Sequence, residues 1–151
     1  MIIEGIPYGH KKINYKHMNH YFLDTNILVD FLANRQPFGK YALEIFNKSL
    51  QKEWVLWTSD NSILTSYYIL SKEIGPKECR SKISGIINFL EIQSTLKTHI
   101  QSALNSEFKD LEDGVQHFCA LSIPNLEGII TRNKKDFNYS QVPVFEPWEV
   151  I

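Results

Sequence analysis

Cysteine is scarce in this chain of 151 residues: there are two, Cys79 and Cys119, and they form no CxxC or zinc pattern. That argues against a redox pair, a zinc knuckle or a disulfide-stapled scaffold. Both thiols fall in apolar helical stretches, where a reduced, packed cysteine of a cytosolic protein is the ordinary reading. Long apolar runs are missing as well: none approaches the ~20 residues that a membrane-spanning helix needs. The amino-terminal lysines and histidines have no apolar stretch behind them, which excludes a secretory signal, so a cytoplasmic protein with no membrane partner is expected. Charge of one sign is also lacking. A formal net charge of -1 gives no global basic field, so a nucleic-acid partner must be held by local cations or by a metal. Internal repeats and low-complexity segments are absent.

What is present is an ordinary globular composition, 43% hydrophobic and 22% charged, at a length that suits one domain with a sizeable core. Residues 1–19 differ from the rest of the chain, carrying Gly5, Pro7, Gly9, Lys11, Lys12 and Lys16 with no sustained periodicity. They read as an extension preceding a domain over 20–151. His10, His17 and His20 suit a solvated or loosely docked arm better than a metal tract.

From Tyr21 onward, short apolar runs alternate with helical periodicity. Tyr21-Phe22-Leu23 is a strand, and a helix runs from Asp24 to Ala33 on Leu28, Phe31 and Leu32. Pro37 opens a helix reaching about Gln51. Trp54 to Thr58 is a strand dense in aromatic and β-branched residues, and Ser59 or Asp60 caps the next helix. Pro76 to Leu90 is helical by pattern, a weaker strand comes next at Glu91–Ser94, and helices are expected over Thr98–Asn105 and Leu111–Ser122. Gly128 to Thr131 is a buried strand, and Val142 to Phe145 an edge strand, because it holds Pro143. Strands alternating with helices imply parallel βαβ units with helices on both faces, that is, α/β class.

The chemistry concentrates at three places. Asp24 ends the first strand, and in open α/β sheets the carboxyl edge of the strands is where ligands bind. A carboxylate buried there needs a counter-charge, either a cation side chain or a metal. Asp110 and Asp113 lie three residues apart at a helix start and share one face, with Glu112 pointing elsewhere. Helix capping explains that pair as simply as a ligand role does, but Gly114 weakens the helix and suggests a close approach. Finally, the strand at Ile129-Ile130-Thr131 runs into Arg132-Asn133-Lys134-Lys135-Asp136-Phe137, a loop offering either Asn133 or Asp136 as a ligand beside cations able to hold phosphate. Strand ends of a parallel sheet share one edge, so these acids converge. Divalent metal relieves their repulsion, and hard oxygen donors favour Mg2+ or Mn2+ over zinc. Such an ion acidifies water and offsets phosphoryl charge, the chemistry of phosphodiester hydrolysis.

The succession Asp24-Thr25-Asn26, Asp110-x-x-Asp113, and Thr131-Arg132-Asn133-x-x-Asp136-Phe137 resembles a PIN domain, and within that family the bacterial VapC-like toxins. The resemblance covers roughly residues 20–151. It implies a three-layer α/β/α sandwich with a mainly parallel sheet, a Mg2+- or Mn2+-dependent endoribonuclease acting on RNA, a homodimer, and a small antitoxin protein as partner. Carried over by position, Asp24, Asp113 and Asp136 become metal-binding and catalytic acids with Asp110 assisting. Asn26 orients Asp24, and Asn133 is the second choice after Asp136. Thr131 binds a metal water or a phosphate, and Arg132 and Lys134 position the RNA backbone by charge. One departure stands out: Thr65 occupies the place where many such nucleases carry a glutamate. It can bind a water but supplies no charge, and Glu44 is a distant substitute. That loss supports the rival reading, a catalytically degraded PIN domain serving as an RNA- or protein-binding module. Asp30 is expected at the surface or in a salt bridge. Trp54, Trp57, Tyr67 and Tyr68 suit core or dimer interface better than base stacking, and His117 lies one turn beyond Asp113.

Overall fold

The computed structural model describes residues 18–151. The extension expected over 1–19 therefore lies outside the described residues, except for Met18 and Asn19. Five parallel strands form one sheet in the order β3-β2-β1-β4-β5. They are β1 (Asn19–Leu23), β2 (Trp54–Ser59), β3 (Glu91–Gln93), β4 (Leu126–Ile130) and β5 (Val144–Phe145). Among the described residues seven α-helices accompany them: α1 (Thr25–Ala33), α2 (Gly39–Leu50), α3 (Asp60–Ile74), α4 (Pro76–Ile86), α5 (Lys97–Leu104), α6 (Leu111–Leu121) and α7 (Pro147–Val150).

Strand side chains alternate between faces, and the two cores obey that alternation. Leu23, Leu56 and Ile130 face one side, where Ile27, Leu28, Ala42, Ile45, Phe46, Leu70 and Cys79 from α1 to α4 cover them. Phe22 and Ile129 face the other, packed with Phe108, Ala120, Ile123 and Phe137 around α6. The result is the three-layer α/β/α sandwich. β1 lies at its centre, in register with β4 through Phe22–Ile129 and Leu23–Ile130. The ladder continues one step past the strand, because Asp24 N donates to Ile130 O at 3.0 Å.

Three local expectations shift. The second helix begins at Gly39 rather than at Pro37, because the chain first turns through Asn34 in the left-handed region (φ 48°). A Cβ on Gly39 would stand 2.6 Å from Asn34 Oδ1, so only glycine fits against that turn. The helix from Pro76 stops at Ile86 and tightens into a 3-10 turn over Ile87–Phe89. β4 starts earlier than expected, at Leu126, and β5 is an edge strand whose Pro143 sits just outside it. Gly128 lies where β4 meets β5: a Cβ there would be 2.5 Å from Pro143 O.

Candidate functional site

Asp24 is buried at the carboxyl end of the central strand, 7% exposed. Its Oδ1 caps α1 by accepting from Thr25 N (2.8 Å), and its Oδ2 accepts from Thr131 Oγ1 (2.8 Å) and Asn26 Nδ2 (3.3 Å). Asn26 also donates to Thr131 Oγ1 (3.2 Å) and accepts from Arg132 N (3.2 Å), which ties the β1 end to the β4 end. Burial raises the pKa of Asp24, the bonds from Thr131 and Thr25 oppose that rise, and the charges of Glu112 and Asp136 add to it.

Asp24, Thr65, Asp110, Glu112, Asp113, Asn133 and Asp136 line one open cleft of about 390 Å³. Asp110 caps α6, its Oδ1 accepting from Asp113 N at 3.0 Å, so the capping account of this pair is correct and coexists with a place in the cleft. Asp113 is partly buried and pushed up to about 7, first by burial, then by repulsion from Asp24, Asp110, Asp136 and Glu112. Glu112 corrects an expectation. At the first turn of α6 the cleft wraps around the helix end, and Glu112 borders it instead of pointing away.

Beneath the acids lies a buried polar chain. Gln116 Oε1 accepts from Ser59 Oγ (2.5 Å), Gln116 Nε2 donates to Ser62 Oγ, and Thr25 Oγ1 donates to the same Ser62 oxygen (3.0 Å). It links α6, α3 and α1 under Asp24. No motif in the sequence marks it. Gly114 makes the close approach its presence suggested, but to protein: a Cβ would be 3.1 Å from Ala103 Cβ and 3.2 Å from Phe108 Cβ.

Several side chains stand in roles other than those expected. Thr131 is fully buried and donates its hydroxyl proton to Asp24, so it is not free to bind a metal water or a phosphate. Arg132 gives its guanidinium to Asp30, Nε to Oδ2 at 2.5 Å and Nη2 to Oδ1 at 3.3 Å, and stacks over the Phe38 ring at 4.3 Å. Asp30 is thus salt-bridging, but 1% exposed rather than at the surface. Lys134 is shared with Glu149, at 3.0 and 3.1 Å. The two cations expected to hold RNA are therefore already paired with carboxylates. Glu44 is exposed on α2 and outside the cleft.

His117 is a core residue. Its Nε2 accepts from Gln141 N (3.0 Å), its ring packs 4.9 Å from Phe108, and burial lowers its pKa to about 4. Its buried Nδ1 has no partner among the described residues. Trp54 belongs to the first core and Trp57 packs on the second. Cys79 and Cys119 are buried free thiols.

Among the described residues no group of three or more His, Cys, Asp or Glu side chains is drawn together closely enough to hold a metal ion as it stands. The donors instead line an open cleft with all-oxygen chemistry. That suits an ion such as Mg2+, which binds through one or two carboxylates and keeps several waters. Burial first, and then repulsion among the acids, holds Asp113 near 7, and the repulsive part is what a divalent cation would relieve. Among the described residues no helix is long and apolar enough to cross a membrane.

Fold and cleft together define a parallel α/β/α sandwich with a hard, acidic, oxygen-lined site at the carboxyl edge of its central strand. The chain belongs to the PIN domain family, whose sequence model matches residues 20–135. It is 34% identical over 130 residues to Ribonuclease VapC1 of Aquifex aeolicus (strain VF5), covering 82% of this chain and 87% of that protein. Among solved structures it is similar to VapBC2 from Rickettsia felis bound to a DNA fragment from their promoter (20% identity, TM-score 0.65, covering 84% of this chain and 98% of that one). It is also similar to a toxin–antitoxin complex from Klebsiella pneumoniae (24% identity, TM-score 0.61, 84% and 97% covered). At these identities the structural likeness speaks of fold.

Proposed function

We propose that this chain is a cytoplasmic, metal-dependent endoribonuclease acting as the toxin of a toxin–antitoxin pair, its catalytic domain spanning residues 20–151 behind an extension. The single observation that carries the reading is the shared cleft, where Asp24 is buried at the strand end and Asp113 is held near 7 by burial and by its acidic neighbours. The relative named as a ribonuclease, and the toxin–antitoxin complexes of the same fold, support the activity and a small antitoxin partner.

Asp24, Asp113 and Asp136 would hold Mg2+ or Mn2+, with Asp110 contributing the oxygen its capping bond leaves unused. When bound, such an ion acidifies water and offsets charge on the phosphoryl group. The chain's own residues do the rest. Thr131 and Asn26 fix the Asp24 carboxylate in one orientation, as partners behind a metal-binding acid do. Thr65, at the cleft wall, offers a hydroxyl to a water. Asn133 presents an amide to the same space. Exposed Leu64 on α3, Ile100 on α5 and Leu111 on α6 line one shallow apolar depression, which suits a homodimer contact.

RNA cleavage by the purified full chain, with Mg2+ or Mn2+ and with chelator, tests the reading beside Asp24→Asn and Asp113→Asn. Metal-dependent cleavage absent from both variants is expected. Cleavage that survives both substitutions would sink the site assignment. A second reading, a degraded domain that binds without cutting, draws on Thr65 standing in the cleft without charge. It predicts RNA binding, no cleavage and no metal-induced rise in melting temperature.

A further inference from the structure

Beside the acidic cleft lies a second one, of about 530 Å³, which shares Asp110, Asp113 and Asp136 with it and adds Lys109, Lys135, Asn138 and Tyr139. Arg132 and Lys134, the cations expected to hold the RNA backbone, are paired with Asp30 and Glu149. Arg35 and Arg132, which line the acidic cleft, are paired with Glu73 and Asp30, whereas Lys109 and Lys135, which line the second cleft, form no ion pair among the described residues. Tyr139 is 52% exposed, yet its ring is not loose. It meets Phe108 edge to face, with centroids 6.2 Å apart at 67°. Phe108 is itself buried against Phe137 and His117.

The loop carrying Tyr139 is fixed at both ends. Ser140 N donates to Phe137 O (2.9 Å), Ser140 Oγ donates to Val142 O (2.7 Å), and Gln141 N donates to the buried His117 (3.0 Å). An aromatic residue packed on a buried ring yet half exposed, beside two unpaired lysines and bordering the acids, matches the needs of single-stranded nucleic acid.

Resting on the ribonuclease reading, we propose that this second cleft is the subsite for the nucleotides flanking the cut: Tyr139 stacks the unpaired base next to the scissile phosphate, and Lys109 and Lys135 hold the adjoining phosphates. The strand thus leaves the acids toward α6 and the Asn138–Gln141 loop rather than toward Arg132. Tyr139 and the two lysines are positioning residues. A base locked in a duplex cannot present its face to Tyr139, so the site selects unpaired segments.

The test uses the full chain carrying Asp24→Asn, which binds without cutting, and a labelled 12-nucleotide single-stranded RNA. A 2-aminopurine is placed at each position in turn. One position should show quenching on binding; Tyr139→Ala should abolish it and weaken binding roughly 5- to 150-fold, while Tyr139→Phe should keep both. Changing Lys109 and Lys135 together to Gln should flatten the slope of log affinity against log salt by about 1.4, two phosphates at about 0.7 each. Tyr139 is exposed, and an unchanged melting temperature checks that its variants fold. Quenching that survives Tyr139→Ala, or an unchanged salt slope, overturns the subsite while wild-type cleavage leaves the ribonuclease reading standing. Absence of cleavage by the wild type overturns both.

Discussion

Raising the pH in the presence of a chelator should weaken this fold, and replacing one carboxylate should remove the effect. In the unfolded chain Asp113 ionises near its ordinary value of 3.8, whereas in the folded protein it keeps its proton to about 7. Between those values the folded state holds the extra proton. The stability this contributes is fully present below the unfolded value and is lost as pH rises through the folded one. The rise from 3.8 to about 7, at ~1.4 kcal/mol per pH unit, sets a ceiling of ~4 kcal/mol. Water reaches this partly exposed carboxyl and screens it, leaving on the order of 1–2 kcal/mol. His117 works in the opposite sense. Held at about 4, it adds stability above its unfolded value that is lost as pH falls toward the folded one. The comparison of wild type with Asp113→Asn cancels that background. In chelator their urea-unfolding free energies should be equal only below the unfolded value of 3.8 and should diverge steadily from there to about 7. Near pH 8 the variant should be more stable by ~1–2 kcal/mol, or ~2–8 °C in Tm. Adding Mn2+ near pH 8 should raise the wild type and close the gap. Parallel pH profiles for the two proteins would refute the claim that crowded acids hold the Asp113 proton.

The packing sets further outcomes. Arg132→Ala strands the buried Asp30 carboxylate and should cost ~3–5 kcal/mol in urea unfolding; Arg132→Lys should recover only part, because an ammonium cannot make the two-pronged contact or stack on Phe38. Gly128→Ala should push Pro143 and Phe145 from β4, destabilising by ~1–3 kcal/mol and loosening amide protection in β5, read by hydrogen exchange. Thr65→Glu should tighten Mn2+ binding, seen by calorimetry, by roughly tenfold, since affinity depends on the number of charged ligands. A Thr65→Glu protein with unchanged metal affinity would remove Thr65 from the metal's surroundings.

What could be read from the sequence was the periodic and the local. Apolar runs marked four of the five strands, Glu91–Gln93 being a weaker signal, and the alternation of strands with helices implied a parallel sheet, which by itself places Asp24 and the Thr131–Asp136 loop at one edge. Asp110 as a cap was legible from its residue type at a helix start. Contacts between distant parts of the chain were not. Asp30 meets Arg132 across 102 positions and Ser59 meets Gln116 across 57, and no local rule pairs them. Lys134 reads as a free cation until α7 brings Glu149 beside it. Glu112 was misjudged because helical phase describes the side of a helix, whereas here the cleft passes around its end.

Thr65 shows what a neutral side chain at the cleft wall means for the fold. The sheet and its two cores decide where the strand ends fall, and the charged groups hang from them on helix starts and loops. A ligand position can therefore be lost or regained without disturbing the interior. A threonine at this wall also spares the cleft one more negative charge in a place where Asp113 already struggles to ionise.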